Sequence, residues 1–173
     1  MEEIQIRKIK KEDLPSVVDI HIRGWRNAYQ NIIDQAYLDS LNPEEILKKR
    51  EKDYQENGFI VAVKREEIVG FCRFRTEQPE HEITLDEDCE LLAIYVKPEE
   101  KYRGIGTKMF QFVVEEMKKQ KRKKMILWCL KENQKARKFY EKMGGTLGKE
   151  KMLKKGDKTY PEVSFLYSLE ENR

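Results

Sequence analysis

The stretch that decides the fold runs from 91 to 110, LLAIYVKPEEKYRGIGTKMF. An apolar run leads through a charged connection to two glycines one residue apart, and an apolar spacing of helical type follows. LLAIYV reads as a strand buried on both faces. Gly104 and Gly106 let backbone N–H groups approach a ligand closely, and the helix beginning after them points the positive end of its dipole at the same place. The expected guest is a phosphate or pyrophosphate. Met109, Phe110, Val113, Val114 and Met117 give that helix its apolar face, opposite Lys108, Gln111, Glu115 and Lys118. KMILWCL at 124–130 is the next strand, so strand, loop, helix and strand form a right-handed crossover whose two strands are parallel.

Working outward, Ile4, Ile6 and Ile9 predict a short first strand, and Leu14, Val17, Val18 and Trp25 lie at helical spacing after it. His21 falls on the same stripe, where a lone histidine is read as packing and is assigned no chemistry. A second helical stretch covers about 34–54, interrupted where Asn42-Pro43 starts a new helix N-terminus. FIVAV and IVGFCRFR, separated by KREE, predict an antiparallel hairpin. The acidic connection TEQPEHEITLDEDCE leads into the central strand. Beyond 130, Asn133 is an N-cap for a short helix whose inward face is Ala136, Phe139, Tyr140 and Met143, and Gly144-Gly145 end it. TLGKEKML and VSFLYSL flank the turn-forming KKGDKTYPE as a last antiparallel pair.

The 173 residues carry no linker-like stretch, so one domain over 1–173 is expected. The charged opening lacks a signal-peptide core, and no apolar run reaches membrane-spanning length, which predicts a cytoplasmic protein without a membrane partner. Cys72, Cys89 and Cys129 each sit in or beside an apolar run and read as structural thiols. With two histidines and no paired-ligand spacing, no metal site is expected. The 35 basic and 32 acidic side chains nearly cancel, which argues against a nucleic-acid partner. KKQKRKK at 118–124 falls where a helix ends and cations complement the dipole.

Two common phosphate loops fail on spacing. The third glycine of a dinucleotide-binding loop is absent, as is the acid at the end of the following strand, and the G-K-[ST] ending of a Walker loop is absent too. Lys101-Tyr102-Arg103-Gly104-Ile105-Gly106 resembles the [Q/R]-x-x-G-x-[G/A] signature of the GNAT superfamily of N-acetyltransferases, apart from lysine at the first position. Asn133-x-x-Ala136-x-x-Phe139-Tyr140-x-x-x-Gly144 resembles the second motif of that family, with Gly145 in place of its usual aromatic residue. The resemblance covers essentially the whole chain, and the stretches WRNAY at 25–29 and KTYPEV at 158–163 resemble a bacterial small-amine branch of the family.

It implies an α/β (α+β) fold: a mixed, mostly antiparallel twisted sheet of about seven strands flanked by about four helices, with a central parallel pair forming the acetyl-CoA cleft. It implies acetyl-CoA as co-substrate and a primary amine, small-molecule or peptide, as acceptor, with direct transfer in a ternary complex. Residues Lys101, Tyr102, Arg103, Gly104, Ile105, Gly106 and Thr107 would cradle the pyrophosphate. Ile94, Tyr95 and Val96 would carry the pantetheine arm along the strand edge, with Asn133 and Ala136 beside it. Tyr140 resembles the family's acid at the departing sulfur, its other reading being a core aromatic. Glu90 resembles its base position, with a water chain or another carboxylate as the alternative. A backbone N–H at Leu92 or Ala93 would polarise the acetyl carbonyl. Trp25, Tyr29, Tyr160 and Glu162 would wall the acceptor pocket, and the acidic approach loop with Glu77, Glu80, Glu82, Asp86, Glu87 and Asp88 would attract a cation such as a polyamine. Homodimerisation through the last strands is a family habit. The rival functions are a non-catalytic acyl-CoA-binding module and an RNA-associated module using residues 118–124.

Overall fold

The computed structural model describes residues 3–77 and 86–170. The chain opens with β1 (Gln5–Lys8) and continues through a 3-10 turn into α1 (Leu14–Ala28), α2 (Gln35–Asp39) and α3 (Pro43–Asp53). Leu14, Val17 and Val18 are buried, as the helical spacing requires. Asn42 explains why the stretch expected over 34–54 is two helices. Its Oδ1 accepts from the Glu44 and Glu45 N–H groups at 2.9 and 3.2 Å, and Pro43 stands in the first turn, where a missing N–H costs nothing. Five α-helices result among the described residues, against about four expected.

The hairpin is β2 (Gly58–Lys64) and β3 (Glu67–Arg75), joined at Arg65 and Glu66. Both turn residues have positive φ, 51° and 65°, the handedness that matches the twist of the strands. Then come β4 (Cys89–Val96), α4 (Ile105–Lys119), β5 (Lys124–Leu130), α5 (Gln134–Lys142), β6 (Thr146–Lys155) and β7 (Lys158–Ser168). They form one seven-stranded sheet in the order β1-β2-β3-β4-β5-β7-β6. Every neighbouring pair is antiparallel except β4 and β5, the parallel pair of the crossover.

Two readings of the sequence need correction. The final turn is only Gly156-Asp157, because β6 and β7 pair out to Lys155↔Lys158; Tyr160 and Glu162 therefore stand in β7 and not in a loop. β4 is not buried along its whole length either. Cys89, Glu90 and Leu91 are buried, whereas 92–96 are half-buried, because β5 pairs with β4 only over Cys89↔Met125, Glu90↔Ile126 and Leu91↔Leu127.

The sheet carries a core on each face. On one, α4 lays Ile105, Met109, Phe110, Val113 and Met117 against Ala62, Cys72, Leu91 and Leu127. On the other, α1 packs Leu14, Val17 and Ile20 on Val61 and Phe71. Each such fully buried large side chain contributes roughly 1.5–3 kcal/mol over its exposed state. Cys72, Cys89 and Cys129 are buried free thiols, and burial pushes Cys89 up to about 12 and Cys129 to about 11, the ordinary behaviour of packed sulfur. The basic run begins in the last turn of α4, and beyond it the Asp88 carboxylate accepts the N–H groups of Lys123 and Lys124 at 3.0–3.2 Å. No helix among the described residues is long and apolar enough to cross a membrane. His81, Glu80 and Glu82 of the acidic connection lie outside the described residues.

Candidate active site

The site begins with an irregularity in β4. Arg73 pairs with Ala93 but Phe74 pairs with Leu91, which leaves Leu92 as an extra residue. A bulge of this kind bends the strand and breaks its alternation. Before it, Cys89 and Leu91 face α4; after it, Ile94 and Val96 face α4 while Ala93 and Tyr95 face α1. Beyond Leu91 the strand keeps β3 on one side, out to Gly70↔Val96, and has no strand partner on the other among the described residues. An open cleft with a free edge of backbone N–H and C=O groups is thus built between β4 and β5.

The glycine loop lies at the mouth of this cleft. Gly104 has φ +84° and caps α4, a conformation that disfavours any side chain, and the space where a Cβ would stand is open. Tyr102 shares the positive φ, +66°, and is 87% exposed. Lys101 is half-buried, Arg103 is exposed with Glu100 3.6 Å away, and Ile105 is buried and anchors the helix start. Thr107 stands half-buried in the first helical turn. No described side chain caps the start of this 15-residue helix, which leaves its positive dipole end suited to an anion. A Cβ on Gly106 would lie 3.6 Å from the Phe139 ring and 3.8 Å from Val96, so loop, β4 and α5 converge at that point.

α5 closes the other wall. The Asn133 side chain accepts the Ala136 N–H at 3.2 Å, so its oxygen is engaged as a helix cap. Gly144, with φ +99°, follows the last turn. The Tyr167 hydroxyl donates to the Tyr140 carbonyl at 2.7 Å and fixes that turn against β7. The Tyr140 ring packs on Phe139 and Phe165 with centroids 5.5 and 5.9 Å away. Among the described residues its own hydroxyl has no hydrogen-bond partner. Burial first, then the neighbourhood of Cys129 on β5 and Tyr95 on β4, hold it well above its usual range, so it keeps its proton at neutral pH.

Glu90 is 8% exposed on β4, just before the bulge. Burial raises its carboxyl to about 7; Lys151 and Arg75 oppose this, and Glu162 adds like charge. Asp86, Glu87 and Asp88, though close in sequence, are not the like charge that acts; the Asp88 carboxylate is engaged with the N–H groups of Lys123 and Lys124. Glu162, also 8% exposed, is raised by burial, with Lys151 3.8 Å away.

On the acceptor side, Trp25 and Tyr29 meet edge to face at 4.9 Å and join Tyr160 in one apolar cluster with Ile33, Leu38 and Leu130. The Tyr160 hydroxyl accepts the Asp34 N–H at 2.9 Å, so it ties the segment after α1 to β7. Tyr95, expected beside the cofactor, turns its ring to this side and stacks on His21 at 5.8 Å. Gly24 is required here, because a Cβ would stand 2.9 Å from that ring. The structure also brings in residues the sequence reading did not single out. Arg50 on α3 and Arg73 on β3 line a cavity of about 170 Å³ with His21 and Tyr95. Their one sequence signal is position: each is a charge at an inward site, Arg50 after Ile46-Leu47 in helical spacing and Arg73 two residues after Phe71.

Residues 18–145 match the model of the acetyltransferase (GNAT) family. The chain therefore belongs to that family of acyltransferases, which use acetyl-CoA. It is 28% identical over 130 residues to the uncharacterized N-acetyltransferase YuaI of Bacillus subtilis, covering 75% of this chain and 73% of the relative. To the spermidine N(1)-acetyltransferase of Thermoplasma acidophilum it is 25% identical over 148 residues, 82% and 87% of the two chains. The crystal structure of the PaiA N-acetyltransferase of the same organism, in complex with coenzyme A, shares the fold with a TM-score of 0.72 over 95% of this chain and 99% of that one, at 23% identity.

Proposed function

We propose that the chain transfers the acetyl group of acetyl-CoA to a primary amine by direct attack within a ternary complex. The observation that carries this reading is the divergence of β4 from β5 after Leu91, which opens a strand edge leading from the anion cradle at Gly104 to the free hydroxyl of Tyr140. The residues present fit the co-substrate. Backbone N–H groups from about Tyr102 to Thr107 hold the two phosphates, with Lys101 and Arg103 adding charge. The edge at Ile94 and Val96 offers its N–H and C=O groups to the amides of the pantetheine arm, as to an added strand.

Acetyl-CoA supplies the acetyl group activated as a thioester. Glu90, directly or through water, takes one proton from the acceptor ammonium, so that the nitrogen lone pair forms the N–C bond while the C–S bond breaks, and the second proton of the attacking nitrogen passes to solvent as the neutral amide forms. Tyr140 gives its proton to the departing sulfur and regains one from solvent. A backbone N–H at the Leu92 bulge polarises the acetyl carbonyl. The carboxyl near 7 suits the base, because it is about half ionised at neutral pH and still binds a proton well.

Release of free thiol from acetyl-CoA, followed over a panel of primary amines with calorimetric titration of coenzyme A alongside, tests the reading. The expected result is amine-dependent release. Coenzyme A binding without release by any amine would instead favour a non-catalytic acyl-CoA-binding module.

A further inference from the structure

The cavity of about 170 Å³ between α1, α3 and the bulge has a charge that the proposed transfer does not use. Arg50 reaches it from the inward face of α3, is 7% exposed, and its buried Nε has no hydrogen-bond partner. Its ion pair is with Asp53, at 3.2 Å. Arg73 is half-buried on β3; among the described residues its guanidinium meets no carboxylate at ion-pair distance and lies over the Phe59 ring at 5.7 Å. No acidic side chain lines the cavity. His21 does not add charge, because burial and the two arginines lower it to about 4 and leave it neutral. Asp53 and Glu56 offset part of this charge from outside the cavity, but the lining itself presents two guanidiniums and no carboxylate in a site largely out of water, where an uncompensated charge is strongly disfavoured.

The other end of the same cavity is formed by Leu92 and Ala93, the bulge of β4. There the acceptor nitrogen must stand if transfer proceeds as proposed above. A molecule spanning the cavity thus presents its amine at the bulge and its far end to Arg50 and Arg73. We propose that the acceptor is a compact amine that also carries a carboxylate, an amino acid or a close analogue, and that Arg73 and Arg50 hold that carboxylate. The planar fork of an arginine matches a carboxylate through two parallel hydrogen bonds. A polyamine would instead set a second cation against the guanidiniums. The volume, below the roughly 300–1,000 Å³ of sites for drug-sized ligands, favours a molecule of this size. The inference rests on the transferase reading, and its test separates the two.

Thiol release is measured for the full chain with each of the twenty L-amino acids against its own carboxamide, and with spermidine. Those turned over should favour the free carboxylate by about 10- to 100-fold in kcat/KM, the value of a charge-assisted hydrogen-bonded pair. Arg73→Met should reduce that ratio to about one, and Arg73→Lys should retain part of it. In parallel, calorimetry on the coenzyme A-saturated chain compares N-acetyl amino acids with their methylamides and should show the same preference and the same loss in Arg73→Met. Equal or better use of carboxamides or spermidine would overturn the proposal, as would a preference that survives Arg73→Met or no calorimetric preference while coenzyme A binds. An intact preference in calorimetry without thiol release from any amine would overturn the transfer reading and leave the anion site standing.

Discussion

Replacing Glu90 by glutamine keeps the shape of a buried side chain and removes its charge, and the structure sets the size of two separate effects. The carboxyl sits at about 7 instead of its ordinary 4.5, with burial the largest cause. At about 1.36 kcal/mol per pKa unit, this difference means that ionised Glu90 destabilises the fold by about 3 kcal/mol. The sign follows from which state binds the proton more tightly. Below pH 4.5 the carboxyl is protonated in both states and no penalty exists. The penalty grows as the unfolded chain ionises, and it is complete above pH 7. Glu90→Gln should therefore be more stable than the parent at pH 8, by up to about 3 kcal/mol or roughly 6–12 °C in Tm, and the two curves should converge near pH 4. The second effect is kinetic. kcat/KM of the parent should fall about tenfold per pH unit below 7 and level off above it, whereas the variant, dependent on acceptor that is already neutral, should keep rising through pH 7 without that plateau and be about 10² to 10⁴ slower at pH 8. Its deficit should shrink at higher pH, as more acceptor arrives already neutral. Thermal unfolding from pH 4 to 9 and thiol-release kinetics from pH 6 to 9 read the two effects independently. A variant with the parental pH–rate profile would remove Glu90 from the chemistry and leave a water chain or another carboxylate as base. A variant less stable than the parent at pH 8 would show that burial does not hold the carboxyl high.

Tyr140→Phe should preserve the fold and coenzyme A affinity while lowering turnover by about 10² to 10⁴, checked by single-turnover kinetics; an unchanged rate would return Tyr140 to the core. The two glycines should part company. Gly104→Ala, with φ +84°, should cost about 1–2 kcal/mol in unfolding free energy as well as coenzyme A affinity, whereas Gly106→Ala has ordinary room beside Phe139 and should lose affinity alone, a contrast that denaturant titration and calorimetry resolve. Asn133→Ala removes the cap that holds the Ala136 N–H and should lower stability by about 0.5–2 kcal/mol in chemical denaturation.

Much of this architecture is legible in single stretches of sequence, because the signals are local. The glycines at 104 and 106, the apolar stripe from Met109 to Met117, the cap at Asn133 and the stop at Gly144 each act on their own few residues, and together they determine the crossover and the order of the elements. The same holds for the turn at Arg65-Glu66 and the helix start at Asn42-Pro43. The bulge at Leu92 is different. LLAIYV is apolar at every position, so its alternation carries no phase, and only pairing with β3 reveals that one residue is extra and that Tyr95 turns toward α1. Which strand lies beside β5 is likewise a matter of long-range pairing; β7 takes that place and brings Glu162 to Glu90, 72 residues away along the chain. Arg50 and Arg73 meet over the cavity for the same reason. Local sequence determines which segments are helix, strand and loop, but the pKa of Glu90 and the charge of the cavity depend on which distant side chains exclude water together, and that is decided only when the two faces of the sheet are packed.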